Sequence, residues 1–196
     1  HSMKLMKTTV AKITNLKASS AVNNVRVQDT ATLDLYGNVL IENGDNGIAM
    51  SHNAIVRIHD GITIRGVKTH SINRWTYAAN TVLELSGELN IDSIYADNAN
   101  LIPTVVGNIT SASGFKVDWA AGKAPTGTAI KFASKQVQEA SSKYITLGSV
   151  QTGAGKALKF ADDTAVLVNA NVISTWADLS AAISALNSGD TAYYVI

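Results

Sequence analysis

Apolar and polar residues alternate along three stretches between Leu33 and Ile91, and each stretch writes the same nine-residue pattern. In every copy, two short alternating runs flank a Gly or Asp that sits within the apolar register. Alternation of this kind predicts strands with one side in a core and the other in solvent, and the central residue allows a bend. The copies are Leu33-x-Leu35-x-Gly37-x-Val39-x-Ile41, Val56-x-Ile58-x-Asp60-x-Ile62-x-Ile64 and Leu83-x-Leu85-x-Gly87-x-Leu89-x-Ile91.

The spacing of these copies indicates a repeat architecture. Their central residues lie 23 and 27 residues apart in the chain. A strand–bend–strand unit cannot bury its own apolar row, whereas stacked units can. The pattern therefore predicts a mostly β chain with a short parallel β-helix-like solenoid. An antiparallel β-sandwich also fits the strand spacing, but it does not require a bend inside each copy.

The three copies, with polar connectors such as residues 42–47, resemble the right-handed parallel β-helices of bacterial surface proteins. Autotransporter passenger domains and adhesins with pectate-lyase-like folds belong to that group. The resemblance covers roughly residues 22–110. It implies an exported protein, at the cell surface or outside the cell, with a binding or scaffolding role, and it transfers no catalytic residue.

The repeat pattern predicts a first region over residues 4–111. Within it, residues 4–30 are expected to form an N-terminal cap or a degenerate first turn. Residues 65–80 break the period with basic and aromatic side chains and are interpreted as an insertion. Insertions in solenoids form loops on one side of the stack, which is often the binding side.

After residue 111 the sequence changes and predicts a small mixed α/β module over residues 112–196. A second repeat, Gly127–Ser134 and Gly155–Asp162, contains Ala, an apolar residue, Lys and Phe in succession. The Ser134 hydroxyl is a candidate cap for a short helix. A clearer amphipathic helix is expected to begin at Ser174 or Thr175.

Composition narrows the classes of function that the chain can have. Only 16% of residues are charged, against about 25% in typical soluble domains, while 46% are hydrophobic. The formal net charge is +1 without a basic block, which argues against nucleic acid or an anionic membrane as a partner. The absence of cysteine excludes disulfides and cysteine-based zinc sites.

Polysaccharide-active enzymes of the β-helix type need convergent carboxylates and a basic residue. The nearest candidates are Asp60, Arg57 and Arg65. However, Asp34, Arg57 and Glu84 occupy the same position in successive copies, which favours a stabilising ladder of opposite charges. We therefore expect no enzyme, with a polysaccharide lyase or hydrolase as the alternative.

Metal and cofactor chemistry receives little support from the sequence. His52, His59 and His70 have a spacing that fits no strong ligand motif. The Asp45-Asn46-Gly47 stretch lacks the remaining ligands of a calcium loop and is expected to be a turn. No cofactor and no metal site are predicted.

Aromatic residues near the repeats provide the better functional hypothesis. Exposed aromatic rings beside polar groups are typical of sugar-binding and protein-binding surfaces. We predict a binding surface made of Trp75, Tyr77, Arg74 and Tyr36, with Tyr95 also flanking the repeats. An alternative is that Trp75 covers an end or edge of the stack. The expected protein is a non-enzymatic adhesin or stalk, whose partners are a host or microbial glycan, a surface protein or neighbouring modules.

Overall fold

A computed structural model describes residues 2–20, 22–75, 80–173, 175–187 and 194–195. It is mostly β and consists of a parallel β-solenoid of about 5 turns, followed by a small module of helices and strands. The predicted fold class is therefore confirmed. The sandwich alternative fails because neighbouring strands of the solenoid pair in parallel, not antiparallel.

Short strands make up most of the chain, and three α-helices are described near its C-terminal end. The strands are β1 (Met3–Leu5), β2 (Val10–Thr14), β3 (Lys17–Ser19), β4 (Asn23–Val27), β5 (Thr32–Tyr36), β6 (Val39–Glu42), β7 (Asn46–Met50), β8 (Ile55–Ile58), β9 (Ile62–Arg65), β10 (His70–Arg74), β11 (Val82–Asn90), β12 (Ser93–Ala96), β13 (Thr104–Thr110), β14 (Phe115–Trp119), β15 (Thr128–Phe132), β16 (Ile145–Leu147), β17 (Lys156–Ala161), β18 (Thr164–Asn169), β19 (Asn171–Val172) and β20 (Tyr194–Val195). The helices are α1 (Lys135–Ser141), α2 (Ser149–Gly153) and α3 (Trp176–Asn187).

The solenoid has three faces, each a parallel stack of strands. The first face contains seven strands in the order β1-β4-β7-β10-β12-β14-β16. The second face contains β2, β5, β8, β11, β13 and β15. The third face contains β3, β6, β9 and the last part of β11, so this long strand serves two faces.

The core consists of rows of apolar side chains that point inward from successive turns. One row on the first face joins six register partners, all of them buried: Val25, Ile48, Ile72, Ile94, Val117 and Leu147. Full burial of each such side chain contributes about 1.5–3 kcal/mol relative to exposure. The alternating pattern in the sequence thus becomes a continuous apolar interior.

The bends predicted inside each copy separate the second face from the third. Gly37, Gly61 and Gly87 have φ values of 67°, 66° and 76°, a region that side chains with a Cβ adopt at a cost. In the second copy the left-handed residue is therefore Gly61, not the predicted Asp60. The Asp60 carboxylate instead accepts the backbone N–H of Glu88 at 2.7 Å.

The strand pairing bears on two sequence interpretations. Of the two alternatives for residues 4–30, a first turn is the one that agrees with the structure, because β1, β2 and β3 pair in register with the next turn. Residues 65–80, interpreted as an insertion, contain β10, a regular strand of the first face. Its sequence His-Ser-Ile-Asn-Arg has only one strongly apolar side chain, so the alternating pattern that predicts a strand is absent.

Neither of the two main sheets is interrupted at residue 112, since β14, β15 and β16 continue the first and second faces. An antiparallel hairpin, β17 and β18, then joins the end of the second face. The Ser134 hydroxyl accepts the N–H of Val137, which confirms the predicted helix cap. Thr175 and Asp178 cap α3 reciprocally, whereas Ser174 lies outside the described residues.

Candidate functional site

Trp75 lies against the outer surface of the first face, immediately after β10. Its backbone N–H donates to the carbonyl of Met50 at 3.0 Å, and its ring is half-buried. The guanidinium carbon of Arg26 is 5.1 Å from the ring centroid, a cation–π contact. Arg26 and Ala49 are register partners on adjacent strands, so Trp75 packs along the outside of the early turns.

Arg74 does not lie on that surface. It occupies an inward position in register with Met50 and Ala96, and its side chain is fully buried. Its Nε donates to the Thr81 hydroxyl at 3.1 Å and its Nη2 to the Thr81 carbonyl at 2.7 Å. Arg74 points inward because it lies two residues after the inward-pointing Ile72 on the same strand. A ligand in solvent therefore cannot reach this side chain, contrary to the prediction.

The predicted Tyr36 is not brought to Trp75. Tyr36 ends β5 on the second face, where its ring stacks on His59 with centroids 4.0 Å apart. Tyr77 lies outside the described residues. Of the four residues predicted to form a binding surface, only Trp75 is therefore described on the outer surface of the first face.

The first face instead presents a second pair of aromatic rings. His70 and Tyr95 stack with centroids 4.2 Å apart and planes 5° from parallel. Burial lowers the pKa of the His70 imidazole against the opposing effect of Asp118 and Asp97. Burial and the same carboxylates raise the pKa of the Tyr95 phenol. Both rings are consequently uncharged at neutral pH and form a half-buried stacked pair, the aromatic platform.

A groove of about 480 Å³ lies next to this pair along β12, because its lining includes Ser93, two residues before Tyr95, although neither ring lines it. Three of its lining residues, Ser93, Lys116 and Thr146, are register partners on β12, β14 and β16. On β12, Ser93 occupies the outward position that precedes Tyr95, and Lys116 and Thr146 occupy the equivalent positions on the next two strands. Hydroxyl, ammonium and hydroxyl groups therefore follow one another beside the aromatic platform. Asp92 lines the same groove, and its backbone N–H donates to Ser71 Oγ at 2.9 Å.

The carboxylate of Asp118, close to the platform, is engaged in structure. Its oxygens accept the backbone N–H groups of Trp119, Val150 and Gln151 at 2.9–3.1 Å. Two of these donors belong to the first turn of α2, where backbone N–H groups lack helical partners. Asp118 therefore caps α2 and holds it against the end of the first face.

The residues proposed for a polysaccharide-active enzyme do not converge. Arg57 on the second face contacts Glu84 at 2.9 Å and Asp34 at 3.3 Å, which confirms the predicted ladder. Arg65 on the third face pairs with Glu42 at 3.1 Å. Asp60 lies at the bend between these faces and accepts a backbone N–H.

The three central histidines have separate surroundings. His59 stacks on Tyr36, His70 stacks on Tyr95, and His52 contacts Ser51 Oγ at 3.2 Å. Among the residues that the structure describes, no group of three or more His, Asp or Glu side chains is arranged to hold a metal ion. Asn46 lies in β7 and donates to Asn23 Oδ1 at 2.9 Å, so it belongs to a strand and not to the predicted turn.

Sequence reasoning missed His70, Arg26 and Lys116 as members of one surface. A signal was present in the spacing of β10 and β12, since Asn73 and Tyr95 are separated by one turn of the solenoid and are register partners. That signal could be used only after β10 had been recognised as a strand.

A scan against protein-family models and searches of curated proteins and of solved structures found no match to the chain. None of the helices within the described ranges has the length and apolar character needed to cross a membrane. The geometry of the first face is therefore the basis on which we infer a function for this chain.

Proposed function

We propose that this chain is a non-enzymatic module of an exported bacterial surface protein and binds a glycan on the outer surface of its first face. The module would act in adhesion, or as a stalk that carries this surface. The observation that carries the proposal is the groove beside the stacked His70 and Tyr95 rings.

The chemistry of this surface suits a sugar polymer. Sugar rings have apolar C–H faces that pack on aromatic rings and hydroxyl groups that need hydrogen-bond partners. Tyr95 offers an aromatic ring for the C–H faces, and the hydroxyl groups have hydrogen-bond partners in Ser93, Lys116 and Thr146. Register partners in a parallel stack repeat every 4.8 Å or so, which gives an elongated surface suited to a chain. The cation–π pair of Arg26 and Trp75 extends the proposed binding surface along the same face toward the first turn.

An exported location is supported by composition. Asn, Ser, Thr and Gly replace charged residues over much of the surface, as in exported bacterial repeat proteins. The lyase or hydrolase alternative has less support, because Arg57 and Arg65 are both held by carboxylates. The same experiment examines both hypotheses.

The test is electrophoresis through gels cast with plant, host and bacterial polysaccharides, followed by measurement of polymer length. The proposal expects retardation by at least one polymer without shortening. Tyr95→Ala and Lys116→Ala should each weaken the apparent affinity about tenfold, which corresponds to about 1.4 kcal/mol.

Matched controls lie on the second face. Tyr36→Ala removes an equivalent ring from an equivalent histidine stack, and Lys131→Ala removes an exposed outward lysine. Both variants should bind like the parent protein. Equal losses in the two sets would contradict the location of the site, and shortened polymer would favour the enzyme alternative.

A further inference from the structure

Arg74 is a charged residue at an inward position of the solenoid that is otherwise apolar. The inward row of the first face to which it belongs contains Val27, Met50, Ala96 and Trp119, all of them buried. An apolar side chain would fill this position without removing a charge from water, which is energetically costly. Within the described part of the chain, no carboxylate forms a salt bridge with Arg74.

Among the described residues, Thr81 is the hydrogen-bond partner of the Arg74 guanidinium. Both of its described hydrogen bonds go to Thr81, and its Nη1 has no hydrogen-bond partner. Burial lowers the pKa of Arg74 to about 9, so the group still carries its charge at neutral pH. A charge retained under these conditions needs an explanation other than stability.

Comparison with the preceding turn supplies that explanation. The connection from the first to the second face is Ser51–Ala54 in that turn and Trp75–Thr81 in this one, seven residues against four. Ala54 and Thr81 occupy equivalent positions, since each directly precedes register partners on β8 and β11. The turn with the longer connection thus has Arg74 and Thr81 at the positions where the preceding turn has Met50 and Ala54.

We propose that Arg74 is a positioning residue, which acts through Thr81 to fix the two ends of this longer connection and so to hold Trp75 against the first face. The inference rests on the proposed glycan-binding function for its biological meaning, but not for its geometry. Trp75 directly follows Arg74, and its remaining described contacts are the Met50 carbonyl and the Arg26 guanidinium. Arg74 itself touches no ligand.

The decisive measurement needs no ligand. Protein labelled with 5-fluorotryptophan gives one ¹⁹F NMR signal for each of the three tryptophans, and a Trp75→Phe variant assigns the signal of Trp75. Arg74→Met should shift or broaden that signal, while the signal of Trp176 on α3 stays in place. Met50→Leu, which repacks the same inward row beside Arg74, is the matched control and should leave Trp75 unchanged.

Binding and stability separate positioning from general support. Arg74→Met should keep or raise the midpoint of urea unfolding, yet weaken glycan binding as much as Trp75→Ala does, with no further loss in the double variant. If Arg74→Met does not fold, Thr81→Val should reproduce the ¹⁹F change and Thr81→Ser should restore the parent signal. An unchanged Trp75 signal in the variant that folds would overturn the inference. Failure of every polysaccharide to bind would reject the glycan function and leave the ¹⁹F result to decide the positioning role.

Discussion

Single glycines determine where each turn of this solenoid changes direction. Gly61 and Gly87 both have positive φ, and both lie directly against the backbone of the preceding turn. A Cβ on Gly87 would collide with the His59 carbonyl and the Asp60 backbone. The bend thus depends on two independent properties of glycine, its conformational freedom and its lack of a side chain.

A pair of substitutions separates these two properties. Gly122 has a similar φ of 69°, but a Cβ there would meet nothing within 4 Å. Gly122→Ala should therefore cost only the left-handed strain, about 1–2 kcal/mol. Gly87→Ala should cost this amount plus about 1–3 kcal/mol for the collision. Urea unfolding of both variants gives the difference, and equal losses would show that the stacked bend can relax.

At the scale of elements, opposite charges join neighbouring strands of the second face. Arg57 on β8 lies between Asp34 on β5 and Glu84 on β11, with which it is in register. The Asp34 carboxylate is largely buried, whereas the Glu42 and Arg65 pair of the third face is more exposed. The two ion pairs are therefore expected to differ in their contribution to stability.

Arg57→Met tests this difference. The substitution leaves Asp34 buried without its cation, and we expect a loss of about 1–3 kcal/mol in the free energy of unfolding. Arg65→Met is the control, because it breaks an exposed pair and should cost about 0–1 kcal/mol. Chemical denaturation measures both variants. A larger loss for Arg65→Met would contradict the dependence on burial.

At the scale of the whole molecule, each turn of the solenoid is supported mainly by the turns beside it. The first turn has such a neighbour on one side only in the described chain, and each of its strands carries an exposed lysine: Lys4 on β1, Lys12 on β2 and Lys17 on β3. Lysine on an edge strand opposes pairing with other chains. At the other end, the hairpin of β17 and β18 pairs antiparallel with β15, the last strand of the second face.

Hydrogen exchange should report this arrangement as a gradient of protection. Amides of β7 and β10, which have a strand on both sides, should exchange about 100-fold more slowly than those of β1 and β2. Mass spectrometry of exchanged peptides measures the contrast. Uniform protection along the chain would show that the solenoid opens as a single cooperative unit.

Much of this architecture could be predicted from the sequence, because a strand that is half in a core must alternate and a bend must carry a permissive residue. The copies from Leu33 to Ile91 accordingly predicted stacked strands, inward rows and the ladder of Asp34, Arg57 and Glu84. The same rule missed β10, whose single isoleucine gives little alternation, and placed Arg74 outside although its parity points inward. The division at residue 112 and the binding role of Tyr77 stay predictions, and the Tyr36→Ala control tests the binding role that the sequence predicted for Tyr36.

What the sequence alone determined is local: which residues are extended, where the chain bends and which side of each strand is apolar. Alternation has only two states, inward and outward, so it cannot say which of three faces an outward residue belongs to or which residue of another turn lies beside it. Those relations depend on the length of every connection, since each added residue shifts the register of the strand that follows. Only the tertiary structure therefore placed His70 on Tyr95, aligned Ser93 with Lys116 and Thr146, and separated Tyr36 from Trp75.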